Sequence, residues 1–406
     1  MVTGLKVKQS EKILRQLAFL YLVLESCVKP VFKYFEWHQD GLRINFTFLY
    51  SVILLTFLLI VLFRFSMGYS KRINPRIFFS SLLLLFVGVS MLFAVPSLLH
   101  EEVYRIHEFI LFYMNGAVVQ PILYMLAGFY VLDFLEEKKV KTYMLYAWSG
   151  YVLTVFVFAN IDLNIFQSHM QMKNENHNYL MMADAFVLSS MFVFSSTKQL
   201  RYKLLIFAVS FIGLYFLKSR ASLYVFSFVC LLVLIKSDKR FLLLVAFVLF
   251  YILIATDWQM FLKRNASNRM FRVLLGHDAS ANMRVNLLRE GVEGIKENWF
   301  LGDFMGDVKQ FKGTGRYIHN FLSYWRQFGL IPFLMFLLVL IINYFSILKS
   351  VILRKWTPTL EFLFMYGAYV LALTLFARSF MYSGVWLVFA AVPIYLMKSE
   401  NNQESY

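Results

Sequence analysis

Long uninterrupted apolar runs restrict this chain more than any other feature. They fall at roughly 13–35, 46–63, 77–95, 108–134, 143–161, 179–195, 204–217, 221–235, 241–256, 328–348, 360–376 and 382–397. Inside a bilayer the backbone finds no water to bond with, so only helices and closed barrels cross it. A helix needs ~20 apolar residues for the crossing, and these runs come close to that length. Barrel strands would be short and alternating, whereas these runs are continuous. The expected fold is therefore an all-α polytopic membrane protein with about 12 transmembrane helices. Composition supports it: 60% of the 406 residues are hydrophobic and 16% charged, against about 45–50% and roughly 25% in soluble domains. A soluble enzyme, a secreted disulfide scaffold and a disordered chain are excluded.

Charge then orients the spans. Lys+Arg 40 against Asp+Glu 24 leaves a net charge of +16. Connectors on one side carry 21 of the 40 basic residues, from Lys6, Lys8, Lys12 and Arg15 through Lys138, Lys139 and Lys141 to Lys398. The short connectors on the other side carry 8, among them Lys218, Arg220 and Arg378. Cytoplasmic loops concentrate Lys and Arg, so both termini are expected in the cytoplasm. The basic leader through Lys12 lacks a small-residue cleavage site after it and reads as part of the first anchor. Cys27 and Cys230 both lie in apolar runs, with no disulfide framework or metal-ligand spacing. No basic soluble domain exists to bind nucleic acid.

The expected organisation is helices 1–9 within 1–257, an external loop domain at 258–327, helices 10–12 within 328–398, and a cytoplasmic tail at 399–406. The loop holds the other 11 basic residues against six carboxylates. Within it Val285, Leu288, Val292 and Ile295 recur at helical spacing and predict an amphipathic helix between Asn282 and Glu297. Lys309 to Tyr317 reads as a glycine-rich loop. His319 to Gln327 is expected to be a helix that continues into the tenth span.

An external loop that is basic against the usual rule fits an anionic ligand, which arginine grips bidentately, or adhesion to anionic headgroups. The candidates are Lys218 and Arg220 at a very short external tip, Arg284 and Arg289 on the predicted amphipathic helix, and Arg316, Tyr317, His319 and Asn320 at the exit of the glycine-rich loop. A histidine there can take a proton from a sugar hydroxyl near neutral pH. Asp303 and Asp307 form neither a DxD motif nor part of a histidine cluster, so no metal site is expected and arginine is the available counter-charge.

Three motifs occur in order: Ser219-Arg220-Ala221; Arg284-Val285-Asn286 with Trp299-Phe300-Leu301-Gly302; and His319-Asn320-x4-Trp325-x3-Gly329-Leu330-Ile331. This series resembles the O-antigen ligase and polymerase superfamily over roughly residues 200–345. The resemblance implies a GT-C-like fold in the bacterial inner membrane, with the long loop periplasmic and containing short helices. It implies lipopolysaccharide biosynthesis by a metal-independent, inverting glycosyltransferase without a cofactor. Donor and acceptor would be glycans linked to undecaprenyl pyrophosphate, in contact with membrane lipids and a possible chain-length regulator. Arg220 and Arg284, with Arg289, would hold the pyrophosphate. His319 would act on the acceptor hydroxyl, with Lys218, Arg316, Tyr317, Asn320 and Arg378 in support. Two departures stand out. Arg326-Gln327-Phe328 occupies the place where the family often has a glutamate before the re-entry glycine, and Ser222 replaces a glycine.

Tyr317-Ile318-His319-Asn320 resembles the form seen in O-antigen polymerases, so polymerase is favoured over ligase. Two further readings stay open. One places the base in an early external loop, at Asp40 or at Glu101 and Glu102. The other is a lipid-linked glycan transporter, against which the absence of repeated halves argues.

Overall fold

The computed structural model describes residues 2–32, 75–99, 106–160, 169–170, 179–238, 240–241, 279–312 and 316–401. The expected span at 46–63 and all of that at 241–256 except Phe241, together with Asp40, Glu101, Glu102 and His277, lie outside the described residues.

The described chain is almost entirely helical. In order it forms α1 (Val2–Val23), α2 (Pro75–Leu99), α3 (Ile106–Met114), α4 (Gln120–Phe134), α5 (Lys138–Val157), α6 (Tyr179–Ser196), α7 (Leu200–Phe216) and α8 (Arg220–Ser237). Then come α9 (Ala279–Glu297), α10 (Gly306–Phe311), α11 (Leu322–Phe328), α12 (Leu330–Leu353), α13 (Pro358–Phe376) and α14 (Gly384–Asn401). Two widened π turns, Leu24–Val28 and Asn115–Val119, continue α1 and join α3 to α4. A two-residue antiparallel ladder pairs Ala159–Asn160 with His169–Met170. Among the described residues, five helices are long and apolar enough to cross a membrane: Pro75–Pro96, Ile106–Phe134, Arg220–Ser237, Leu330–Leu353 and Pro358–Phe376.

Local chemistry sets the boundaries. Pro358 opens α13, where a missing N–H costs nothing. Thr357 caps the helix by accepting from the Leu360 N–H at 3.2 Å. The charge that interrupts the first apolar run is neutralised locally. Glu25 is buried in the π turn, and Lys29 one turn on donates to it at 2.7 Å.

Two compact units arise from non-consecutive stretches. The first comprises Met1–Leu22, Asn45–Phe134 and Arg284–Tyr406. Here α4 and α14 pack intimately through Gly128, where an added Cβ would lie 2.4 Å from the Leu387 carbonyl oxygen. Small residues permit such close approach where lipid gives helices no hydrophobic drive to associate. Polar pairs stitch the same unit together: Tyr21 donates to Gln120 at 2.7 Å, Arg76 donates to Ser346 at 2.7 Å, and Lys398 pairs with Asp133. The second unit comprises Val23–Ile44 and Leu135–Met283. Its α5, α6, α7 and α8 pack together, with the Trp148 indole donating to Ser190 at 2.9 Å and the Tyr151 hydroxyl to the Met182 carbonyl at 2.8 Å.

Candidate functional site

The segment from Arg284 to Gly329 belongs to the first unit, and glycines set how it packs. On α9 Leu287, Gly294 and Ile295 are buried and Leu288, Gly291 and Val292 half-buried, so of the expected stripe Ile295 is buried, Leu288 and Val292 are partly covered, and Val285 is not. Val285 is 59% exposed, because the helix lies on its partners through glycine. A Cβ on Gly291 would meet Ile318 at 2.2 Å, and one on Gly294 would meet the Arg326 guanidinium at 2.5 Å. Hydropathy periodicity gives glycine no weight, so it missed the part of the face that Gly291 and Gly294 carry.

The expected glycine-rich loop from Lys309 is partly helix: α10 runs through Phe311, and Lys312 turns the chain out of it with φ +53°. The expected helix from His319 into the tenth span is broken at Gly329, whose φ is +82° and ψ −175°, a region essentially restricted to glycine. At this break the chain crosses itself. Gly302 and Gly329 meet back to back, and the Leu330 N–H donates to the Phe300 carbonyl at 3.0 Å. A Cβ on Gly329 would fall 2.1 Å from the Phe300 carbonyl oxygen. Gly329→Ala should therefore cost about 1–3 kcal/mol through its backbone conformation alone, with the overlap added. A thermal melt in detergent should show a clear loss of stability, while Gly150→Ala, where nothing lies within 4 Å, leaves the melt near wild type. A wild-type melt for Gly329→Ala would contradict this crossing.

Two acidic residues brace the segment. Asp303 takes Arg326 at 3.0 Å and Lys309 at 3.3 Å. Asp307, buried on α10, accepts from the Tyr113 hydroxyl at 2.8 Å and from the Gln327 amide at 2.7 Å. Burial pushes its carboxyl above the ordinary range, against the downward pull of Tyr113, Gln327 and Arg326. Gln327 also accepts from the Met305 N–H at 2.8 Å, holding Met305 in a left-handed conformation. Arg326 and Gln327 thus each hold a carboxylate in the place where the resembling family often carries one. Asp307, Gln327 and Arg326 were not among the sequence candidates. For Arg326 and Gln327 the signal was that departure from the family pattern; Asp307 had been weighed only as a metal ligand.

His319 sits at the end of this frame, half-buried, with its ring 4.9 Å from that of Tyr317. Tyr317 is hydrogen-bonded to Ser379, and Phe380 donates its N–H to Ser323 at 2.7 Å. These bonds clip the connection between α13 and α14 onto the His319 segment. Arg284 from α9 and Arg378 from that connection both bring their charge to the ring. Burial first, then these two cations, hold the imidazole down to about 4, so it is neutral at physiological pH. Asn320 accepts from the Leu322 N–H at 3.0 Å and so opens α11. Its observed role is to fix the chain direction after His319.

The other candidates are placed differently. Arg289 is exposed, and five residues along a helix set it about 140° around the axis from Arg284. Arg316 is exposed and its guanidinium lies 5.3 Å from the Phe311 ring, on the rim of a cavity that Glu290, Asp307 and Tyr317 also line. Lys218 and Arg220 belong to the second unit, where Lys218 turns with φ +53° and Arg220 opens α8. Their tip is anchored from below: Ser219 donates to Ser222 at 2.8 Å, and Ser222 donates to Asp184 at 3.2 Å. Ser222, a departure from the family pattern, is the middle member of that chain. Comparison with known proteins gives no matching family model and no matching curated protein.

Proposed function

We propose that this protein is an O-antigen-type polymerase of the bacterial inner membrane, joining undecaprenyl-pyrophosphate-linked repeat units at the periplasmic face. The observation that carries the proposal is a half-buried histidine held neutral by its burial and by the charge of Arg284 and Arg378. A neutral imidazole is the form that accepts a proton, and guanidinium groups are suited to a pyrophosphate leaving group. Breaking a glycosyl–pyrophosphate bond requires both functions. Support also comes from the motif order around Arg220, Arg284 and His319, and from helices of membrane-spanning length and composition. In this proposal the chain has twelve spans, a GT-C-like fold and cytoplasmic termini. Arg284 holds the pyrophosphate, and His319 takes the acceptor proton.

The test is reconstitution of the full chain in proteoliposomes with lipid-linked repeat units. A ladder of lengthening products is expected. Transfer occurring only when lipid A-core is added would identify a ligase instead, and movement of the lipid-linked glycan without product would identify a transporter. Reporter fusions after Lys141, Lys203 and Arg240 should read cytoplasm, and fusions within 265–315 should read periplasm. A cytoplasmic signal from 265–315 would overturn the site, because the donor glycan would then lie across the membrane from it.

A further inference from the structure

The apolar outer face of α12 does not stop where the helix begins. Ile331, Leu334, Leu338, Ile341, Phe345 and Leu348 recur every three or four residues and are all exposed, so they form one stripe along a helix of spanning length. At the head of that helix the crossing at Gly329 seats a second apolar stretch, Trp299-Phe300-Leu301, against the first turn. The Phe300 carbonyl accepts from the Leu330 N–H at 3.0 Å, and the Trp299 carbonyl accepts from the Trp325 indole at 2.7 Å. The Trp325 ring in turn stacks on Phe333, 4.9 Å away. The backbone of the trio is thus tied down while its side chains stay uncovered: Trp299 is 53%, Phe300 48% and Leu301 79% exposed. The change of character along the chain is abrupt. Arg289, Glu290, Glu293, Lys296 and Glu297 are exposed on α9 up to its end, and the apolar trio follows directly after Asn298.

We propose that Trp299-Phe300-Leu301 is a membrane anchor, inserting into the lipid leaflet at the head of α12 and holding the His319 segment at headgroup level. Three observations select lipid over a second copy of the chain or another helix. The stripe that the trio extends consists of large aliphatic and aromatic side chains, whereas helices that pack together in a membrane meet through small residues, as α4 meets α14 at Gly128. A tryptophan ring suits the boundary between headgroups and acyl chains. The exposed charges that end at Glu297 put the watery side of that boundary within a few residues of the trio. The consequence for the site follows from a short connection. Between His319 and the Gly329 crossing lies α11, a helix of seven residues and therefore about 10 Å long. An anchor at one end of it fixes the height of the histidine at the other. At that height the histidine meets the junction between glycan and lipid of a membrane-bound substrate, a step that rests on the polymerase reading.

The experiment attaches an environment-sensitive fluorophore to Leu301→Cys in the full chain, reconstituted in phosphatidylcholine vesicles, with Glu297→Cys as the water-side control. Cys27 and Cys230 are buried, and wild-type protein carried through the same labelling gives their background. The label at 301 should be quenched several-fold more strongly by lipids brominated in the upper acyl chain than by aqueous iodide, and the label at 297 should show the reverse. Quenching at 301 by iodide alone would put the trio in water and overturn the anchor. Protection of 301 from both quenchers would mean that protein covers it, a second copy included, and would overturn it too. Leu301→Asp tests the consequence for the site. Because the side chain is largely uncovered, its melt in detergent should stay near wild type, while the product ladder in vesicles should fall several-fold. A wild-type ladder from Leu301→Asp would overturn the claim that the anchor sets the height of His319. If that variant fails to fold, the quenching of the labelled chain still decides whether the trio is in lipid. Lipid quenching at 301 without any product ladder from the wild-type chain would leave the anchor standing and remove the polymerase reading.

Discussion

Replacing His319 with alanine should reduce product formation by ~10²–10⁴-fold, the range for a lost acid–base group. The pH profile should change with it. In the free protein the ring takes a proton only near pH 4, so the acid limb of kcat/KM should fall close to that value. It should not lie at histidine's ordinary ~6.5. Activity is lost as pH drops through the limb because the protonated ring has no free lone pair to accept the acceptor's proton. If the donor's anionic group lies near Arg284 and Arg378, the limb of kcat should lie higher, because that charge offsets theirs. In His319→Ala both limbs should vanish with the rate. His277→Ala serves as the control and should change little. If His319→Ala kept wild-type product while Asp40→Ala lost it, the base would lie in the first external loop. The depressed value also bears on stability. An unfolded imidazole begins to take up protons at about pH 6.5, whereas the folded one does so only near 4. The folded state therefore loses stability as pH falls across that interval.

Lysine in place of Arg284 or Arg220 should remove most activity although the charge is retained. An ammonium is a point donor and cannot reproduce two parallel bonds to a phosphate. For Arg284→Lys the loss should appear mainly in kcat if the guanidinium grips the leaving group most strongly as charge develops. Substrate affinity should change less. The two arginines are held by different means, so their support can be tested separately. Arg284 projects from α9, whose seat depends on Gly291 and Gly294. Arg220 depends on the Ser219–Ser222–Asp184 chain beneath its tip. Near-normal product ladders from both lysine variants would assign these cations to headgroup contact and remove them from the site.

Fold class was legible in the sequence because burial of apolar helices in lipid depends on continuous composition, which a linear pattern displays. The apolar runs at 108–134, 221–235, 328–348 and 360–376 each overlap a helix of spanning length, displaced at the ends by a few residues. The candidate histidine and the arginines at 220 and 284 were legible as motifs, since their order along the chain survives without coordinates. What the sequence concealed depends on pairings between distant positions. Part of the packed face of α9 is carried by Gly291 and Gly294, which give no hydropathy signal and lie against Ile318 and Arg326. The Gly302–Gly329 crossing requires two segments 27 residues apart to meet backbone to backbone, a demand visible only in their positive φ. Asp307 owes its raised carboxyl to burial against Tyr113 and Gln327, one before it in the chain and one after. Arg378 brings its charge to His319 from a connection tied to the histidine segment through Tyr317 and Ser379, which are 62 residues apart. Composition determined that this chain builds apolar helices. The electrostatics of its histidine were decided by which charges the tertiary structure brings to it, because Coulombic influence depends on distance through space and not along the chain.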